Sequence, residues 1–116
     1  MKRLLFPFYI LLAFSCYAQQ PEKQLKKLNI DLPVLSKPVA NYVNVVRTGN
    51  LLFLSGKGPS NDKGVYTTGK VGKDLTLEEG IAAARLTAIN QLAVLKAELG
   101  ELSKVKRIVK VLGMVN

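Results

Sequence analysis

The chain has 116 residues, 48% of them hydrophobic, with a formal net charge of +9, no His, no Trp and one Cys, Cys16. That length holds one domain, and that hydrophobic share belongs to a globular chain and not a disordered one. Most zinc and transition-metal sites lose their ligands in such a composition, and a Ser-His-Asp or Cys-His centre cannot be built from this chain alone.

The first residues read as a targeting segment. Lys2 and Arg3 form a short positive region, and an apolar run from Leu4 to Phe14 is broken only by Pro7. Cys16-Tyr17-Ala18 then presents a small-x-small cleavage site before Gln19. Residues 1–18 therefore form a secretory signal peptide, too short for a membrane span. The expected location is export, to the periplasm. A lipid anchor through Cys16 ranks second, because bulky Phe14 stands where lipoprotein signals carry small residues. Cleavage after Ala18 leaves no cysteine, hence no disulfide. The lysines are scattered and not interleaved with aromatic residues, so no nucleic-acid partner is expected.

Residues 19–33 are polar and basic and read as a linker, with the domain proper over residues 34–116. Lys37-Pro38 marks a further non-helical stretch. Residues 42–47 and 51–55 are two strand-like runs around Thr48-Gly49-Asn50, which predicts a hairpin. The second run is apolar throughout and predicts a strand buried on both faces. Residues 56–72 are a glycine-rich loop, with a short strand expected over 65–68. Thr76-Leu77-Glu78-Glu79 has the pattern of a capping box. It predicts a long helix with Ile81, Ala84, Ala88, Leu92, Leu95 and Leu99 in the core and Gly100 at its left-handed end. Residues 105–111 alternate and predict a further strand. One hairpin, one helix and one strand leave a sheet half covered, so the fold is expected to need more chain.

Two patterns suggest chemistry and fail on inspection. Residues 64–71 match the Gly and Lys positions of a phosphate-binding loop, but Val71 replaces the metal-binding hydroxyl and no helix begins at Lys70. Lys57 and Lys70 are read as solvent-exposed by default, with a place beside a pocket as the alternative. Glu78 and Glu79 belong to the first helical turn, where the helix dipole favours carboxylates, and are read as capping residues.

The hairpin carries more through a resemblance. Asn41-Tyr42-Val43-Asn44-Val45-Val46, the Gly49-Asn50 turn and Leu51-Leu52-Phe53-Leu54-Ser55-Gly56-Lys57-Gly58-Pro59 are similar to the opening hairpin of the RidA (YjgF-type) family. Gly69-Lys70-Val71-Gly72, the Glu78-Glu79-Gly80 helix start and residues 102–113 resemble its branch described as L-PSP endoribonuclease-like. The order holds from about residue 33 to 116. The resemblance implies an α+β, chorismate-mutase-like fold and a homotrimer with pockets between subunits. It implies hydrolysis of reactive imines or enamines of amino acids to 2-keto acids and ammonia, with no metal or organic cofactor. A trimer that binds small carboxylates without turnover is the alternative, and an endoribonuclease a third reading. Tyr42, Ser55 and Gly56 would line the pocket. The family's catalytic arginine and late glutamate fall beyond Asn116, and Arg47, Arg85 and Arg107 lie outside that motif. The 116 residues alone are therefore expected to lack turnover. Asn41 and Val43 depart from the best-known branch, which bears on substrate preference.

Overall fold

The computed structural model describes residues 20–35 and 42–116. The expected signal peptide, Lys37-Pro38 and Asn41 lie outside these residues. The architecture is α+β. In chain order it runs α1 (Pro21–Lys27), β1 (Val45–Thr48), β2 (Leu51–Leu54), α2 (Leu77–Leu99) and a 3-10 turn (Leu102–Lys104).

The segment read as a polar linker contains α1. Pro21 suits the first helical turn, where its missing N–H is not needed, and Lys26 and Lys27 sit at the negative end of the helix. Seven residues do not hold a helix by themselves. A tertiary contact anchors this one. The Glu22 carboxylate accepts from the Lys96 ammonium at 2.9 Å and from the Leu102 amide at 2.7 Å.

β1 and β2 form the expected antiparallel hairpin, with Val45 opposite Leu54 and Thr48 opposite Leu51. Gly49 has φ +55, which a two-residue turn with glycine first demands. The expectation of a strand buried on both faces is corrected. Leu52 and Leu54 are half-buried, whereas Leu51 and Phe53 are exposed, Phe53 by 61%. The described sheet has two strands, and on β2 only the face of Leu52 and Leu54 is half-buried.

α2 begins as the sequence predicts. Thr76 Oγ1 accepts from the Glu79 amide at 3.2 Å, and the Glu79 carboxylate accepts from the Thr76 amide at 2.8 Å. Gly100, at φ +77, ends the helix. The buried stripe differs from expectation. Asn90, Ala93 and Val94 are buried, joined by Leu102, while Ile81, Ala84 and Ala88 are exposed. Leu92, Leu95 and Leu99 are half-buried. Apolar residues surround most of the α2 circumference, so spacing alone does not select a face. The hydrogen bonds of Asn90 select it.

Two short-strand expectations are also corrected. Residues 65–68 contribute a single bridge, Ser60 to Tyr66. Residues 105–111 form no ladder, because no described strand lies beside them to receive their backbone groups. Their alternation is nevertheless that of a strand. Among the described residues, no helix is long and apolar enough to cross a membrane.

Candidate functional site

The open end of the hairpin gathers the sequence-predicted residues. One step beyond the ladder, the Ser55 amide donates to the Asn44 carbonyl at 2.9 Å. The Ser55 hydroxyl donates to the Val43 carbonyl at 2.6 Å. Ser55 thus closes the hairpin with both its backbone and its side chain, and its hydroxyl proton is committed to that task. Tyr42, three residues ahead of β1 and next to Val43, is exposed by 46%. Gly56 is exposed, and a Cβ placed on it would meet nothing within 4 Å. Tyr42, Ser55 and Gly56 therefore belong to one accessible end of one element.

Helix α2 holds the loop that leaves this end. Gln91 Nε2 donates to the Ser55 carbonyl at 2.9 Å. Asn90 Nδ2 donates to the carbonyls of Gly58 and Ser60 at 3.1 and 3.0 Å, and contacts Ser60 Oγ at 3.2 Å. Two adjacent amide side chains thus fix the chain from Ser55 to Ser60 at three points. Buried amides are costly unless bonded, so Asn90 specifies this loop geometry as well as stabilising it. The buried Gln91 Oε1 has no partner among the described residues.

Sequence reasoning missed Asn90 and Gln91. Their signal was present as two polar amides in the middle of an apolar helix, where such groups need partners. The default reading of Lys57 as solvent-exposed is not met. Lys57 is half-buried, and its ammonium donates to Asn44 Oδ1 at 2.6 Å across the open end. Lys70 is exposed as read. Its carbonyl accepts from the amides of Lys73, Asp74 and Leu75, which closes a turn ahead of α2 and leaves no phosphate cradle at a helix start.

The packing of the glycines sharpens the picture. A Cβ on Gly80 would sit 2.9 Å from Val71 Cγ2, and Gly49 holds a left-handed backbone. At Gly56, as at Gly113, neither reason applies within the described residues. A groove of about 420 Å³ elsewhere is bordered by residues 31–33 and 60–62 and by Leu86, Ile89 and Asn90. Tyr42, Ser55 and Gly56 do not line it. Among the described residues, no group of three His, Cys, Asp or Glu side chains is placed to hold a metal ion.

Comparison with known proteins gives a consistent set of matches. The family described as "YjgF/chorismate_mutase-like, putative endoribonuclease" matches residues 22–116. Protein TCP17 of Trypanosoma cruzi is 45% identical over 92 residues, which are 79% of this chain and 58% of that protein. The crystal structure described as a "putative endoribonuclease" from Shewanella oneidensis MR-1 superimposes with a TM-score of 0.72 at 37% identity, over 77% of this chain and 59% of that one. Protein Atu1372 of Agrobacterium tumefaciens, of unknown function, gives 0.68 at 40% identity, over 79% of this chain and 56% of that one. The chain thus spans less than two thirds of the length of these relatives.

Proposed function

The chain belongs to the YjgF/chorismate-mutase-like family, and from that premise we propose that its protein hydrolyses reactive 2-imino and 2-enamino acids to 2-keto acids and ammonia. An enamine first gains a proton at carbon, giving the iminium ion, which becomes the imine as nitrogen gives a proton back to water. Water oxygen then bonds to the imine carbon, the carbon–nitrogen bond breaks, and nitrogen leaves as ammonia with the two protons of the water. The pocket of this reading lies between subunits of a homotrimer, with Tyr42 and Ser55-Gly56 on its wall.

The observation that carries the reading is Gly56. It is exposed, two residues past β2 in the helix-anchored loop, and nothing among the described residues explains the absence of a side chain. A glycine kept open there lets a ligand approach the backbone closely. Ser55 supports that approach by locking the hairpin, and Gln91 by fixing the Ser55 carbonyl.

A homotrimer that binds small carboxylates without turnover is the alternative. Two variants of the full-length protein separate the readings. Gly56→Trp fills the open space and is expected to abolish both binding and turnover. Tyr42→Phe is expected to lower keto-acid release while leaving the oligomer unchanged. Carboxylate binding by a wild-type protein that does not accelerate imine hydrolysis supports the binding module and contradicts the enzyme. The ribonuclease description of the Shewanella protein supplies a third arm, in which cleavage of RNA by the same preparation contradicts the deaminase.

A further inference from the structure

Helix α1 gathers three lysines on one side. Lys23, Lys26 and Lys27 follow one another at the i, i+3 and i+4 positions, which share a helical face, and all three are exposed. The other side of the helix is turned inward, where Glu22 and Leu25 are half-buried. Glu22 stands four residues ahead of Lys26, the spacing of a favourable helical ion pair. Its carboxylate instead accepts from the Lys96 ammonium at 2.9 Å and from the Leu102 amide at 2.7 Å. Among the described residues the ion pair is Lys96 with Glu22, so no carboxylate closes on the three lysines. That same anchor holds α1 against the 3-10 turn and keeps the lysine face outward. Leu28, at the end of the helix, is exposed by 62%.

Like charges held side by side on a docked helix repel one another, and a surface of opposite sign relieves that repulsion. A flat anionic surface meets all three ammonium groups at once, and exposed Leu28 adds an apolar contact of the kind interfacial helices use. We propose that the Lys23, Lys26 and Lys27 face of α1 is a docking surface for an anionic phospholipid bilayer. The position of α1 in the chain favours a bilayer over a soluble polyanion. Pro21 follows Cys16 by five residues, so the helix stands directly behind the apolar segment read as an export signal. That holds whether the segment is cleaved after Ala18 or anchored through Cys16. Basic residues that follow such a segment closely come within reach of lipid head groups, where their attraction is not yet screened. The proposal uses none of the pocket residues and does not depend on the reaction assigned to them.

The test is co-sedimentation of the full-length protein, processed as in the cell, with vesicles of phosphatidylcholine alone and of phosphatidylcholine mixed with phosphatidylglycerol. The wild type is expected to prefer the anionic vesicles and to lose that preference as salt is added. Each lysine near an anionic surface contributes roughly a fivefold gain in partitioning. Lys23→Gln, Lys26→Gln and Lys27→Gln together are therefore expected to weaken binding to the anionic vesicles roughly a hundredfold and to leave neutral vesicles unaffected. Glutamine suits a helix about as well as lysine, so the unfolding temperature stays unchanged. Arginine at the same three positions keeps the charge and is expected to keep the binding. Lys63→Gln, Lys70→Gln and Lys73→Gln remove the same charge from exposed loop positions and are expected to leave vesicle binding within about twofold. Equal losses in the two glutamine triples assign the binding to net charge and overturn the docking surface. A wild type with no preference for anionic vesicles overturns it as well. So does an α1 triple variant that loses binding to soluble heparin but keeps binding to the vesicles.

Discussion

Glu22 ties the first helix to the body of the chain. The hydrogen bond from the Lys96 ammonium lowers its carboxyl from 4.5 to about 2, with the amides of Leu102 and of Glu22 itself adding to the effect. A carboxyl whose folded value is depressed stabilises the fold above its ordinary value and loses that contribution as pH falls through the folded value. Glu22→Gln is therefore expected to lower the unfolding temperature at pH 6 but not at pH 2. A pH series of thermal unfolding curves on the two proteins checks this, and a constant difference across the series contradicts it. Asn90 is a second residue on which local geometry depends. Asn90→Ala leaves the carbonyls of Gly58 and Ser60 without their donor and is expected to cost about 1–3 kcal/mol in chemical denaturation. At this scale the sequence was uneven. The hairpin was legible from its turn and its two strand-like runs, whereas Tyr42, Ser55 and Gly56 were singled out only by the family resemblance. The roles of Asn90 and Gln91 were not legible, because their partners are fixed by a tertiary approach that spacing does not encode.

Among the elements, the hairpin turn and α2 are the most local in origin, and both stand as their sequence signals predict. Thr76→Ala removes one half of the capping box and is expected to cost about 1 kcal/mol. The face that α2 buries was not legible, because apolar residues lie on several of its sides. Docking settles it. Val94 is 1% exposed and Ile81 60% exposed. Val94→Ala is therefore expected to destabilise by roughly 1–3 kcal/mol, and Ile81→Ala to stay within about 0.5 kcal/mol. Denaturation midpoints that reverse this order contradict the observed orientation of the helix. Helix α1 has a start signal in Pro21 and Glu22 and an end signal in Lys26 and Lys27. It is too short for those signals to decide the matter before its long-range anchor is known. Residues 105–111 carry the alternation of a strand, but a strand requires a neighbour, and sequence alternation does not say where that neighbour is.

At the scale of the whole molecule, exposed apolar surface is the dominant feature. Val46 and Phe53 face each other across the hairpin and are both exposed, and Ile108, Val109, Val111 and Leu112 are each exposed by 68% or more. Large exposed apolar side chains in this number are usually covered in stable proteins. The 116 residues in isolation are expected to self-associate, and light scattering on a size-exclusion column checks it against the elution of a monodisperse monomer. In the homotrimer proposed above, neighbouring subunits would cover part of these faces and complete the pocket at Tyr42 and Gly56. The account stands most directly on one rate. The full-length protein is mixed with a 2-imino acid generated in place from its amino acid, and release of the 2-keto acid is followed against the same mixture without protein. The account predicts release clearly faster than spontaneous hydrolysis, abolished by Gly56→Trp. A wild-type rate equal to the spontaneous one contradicts it.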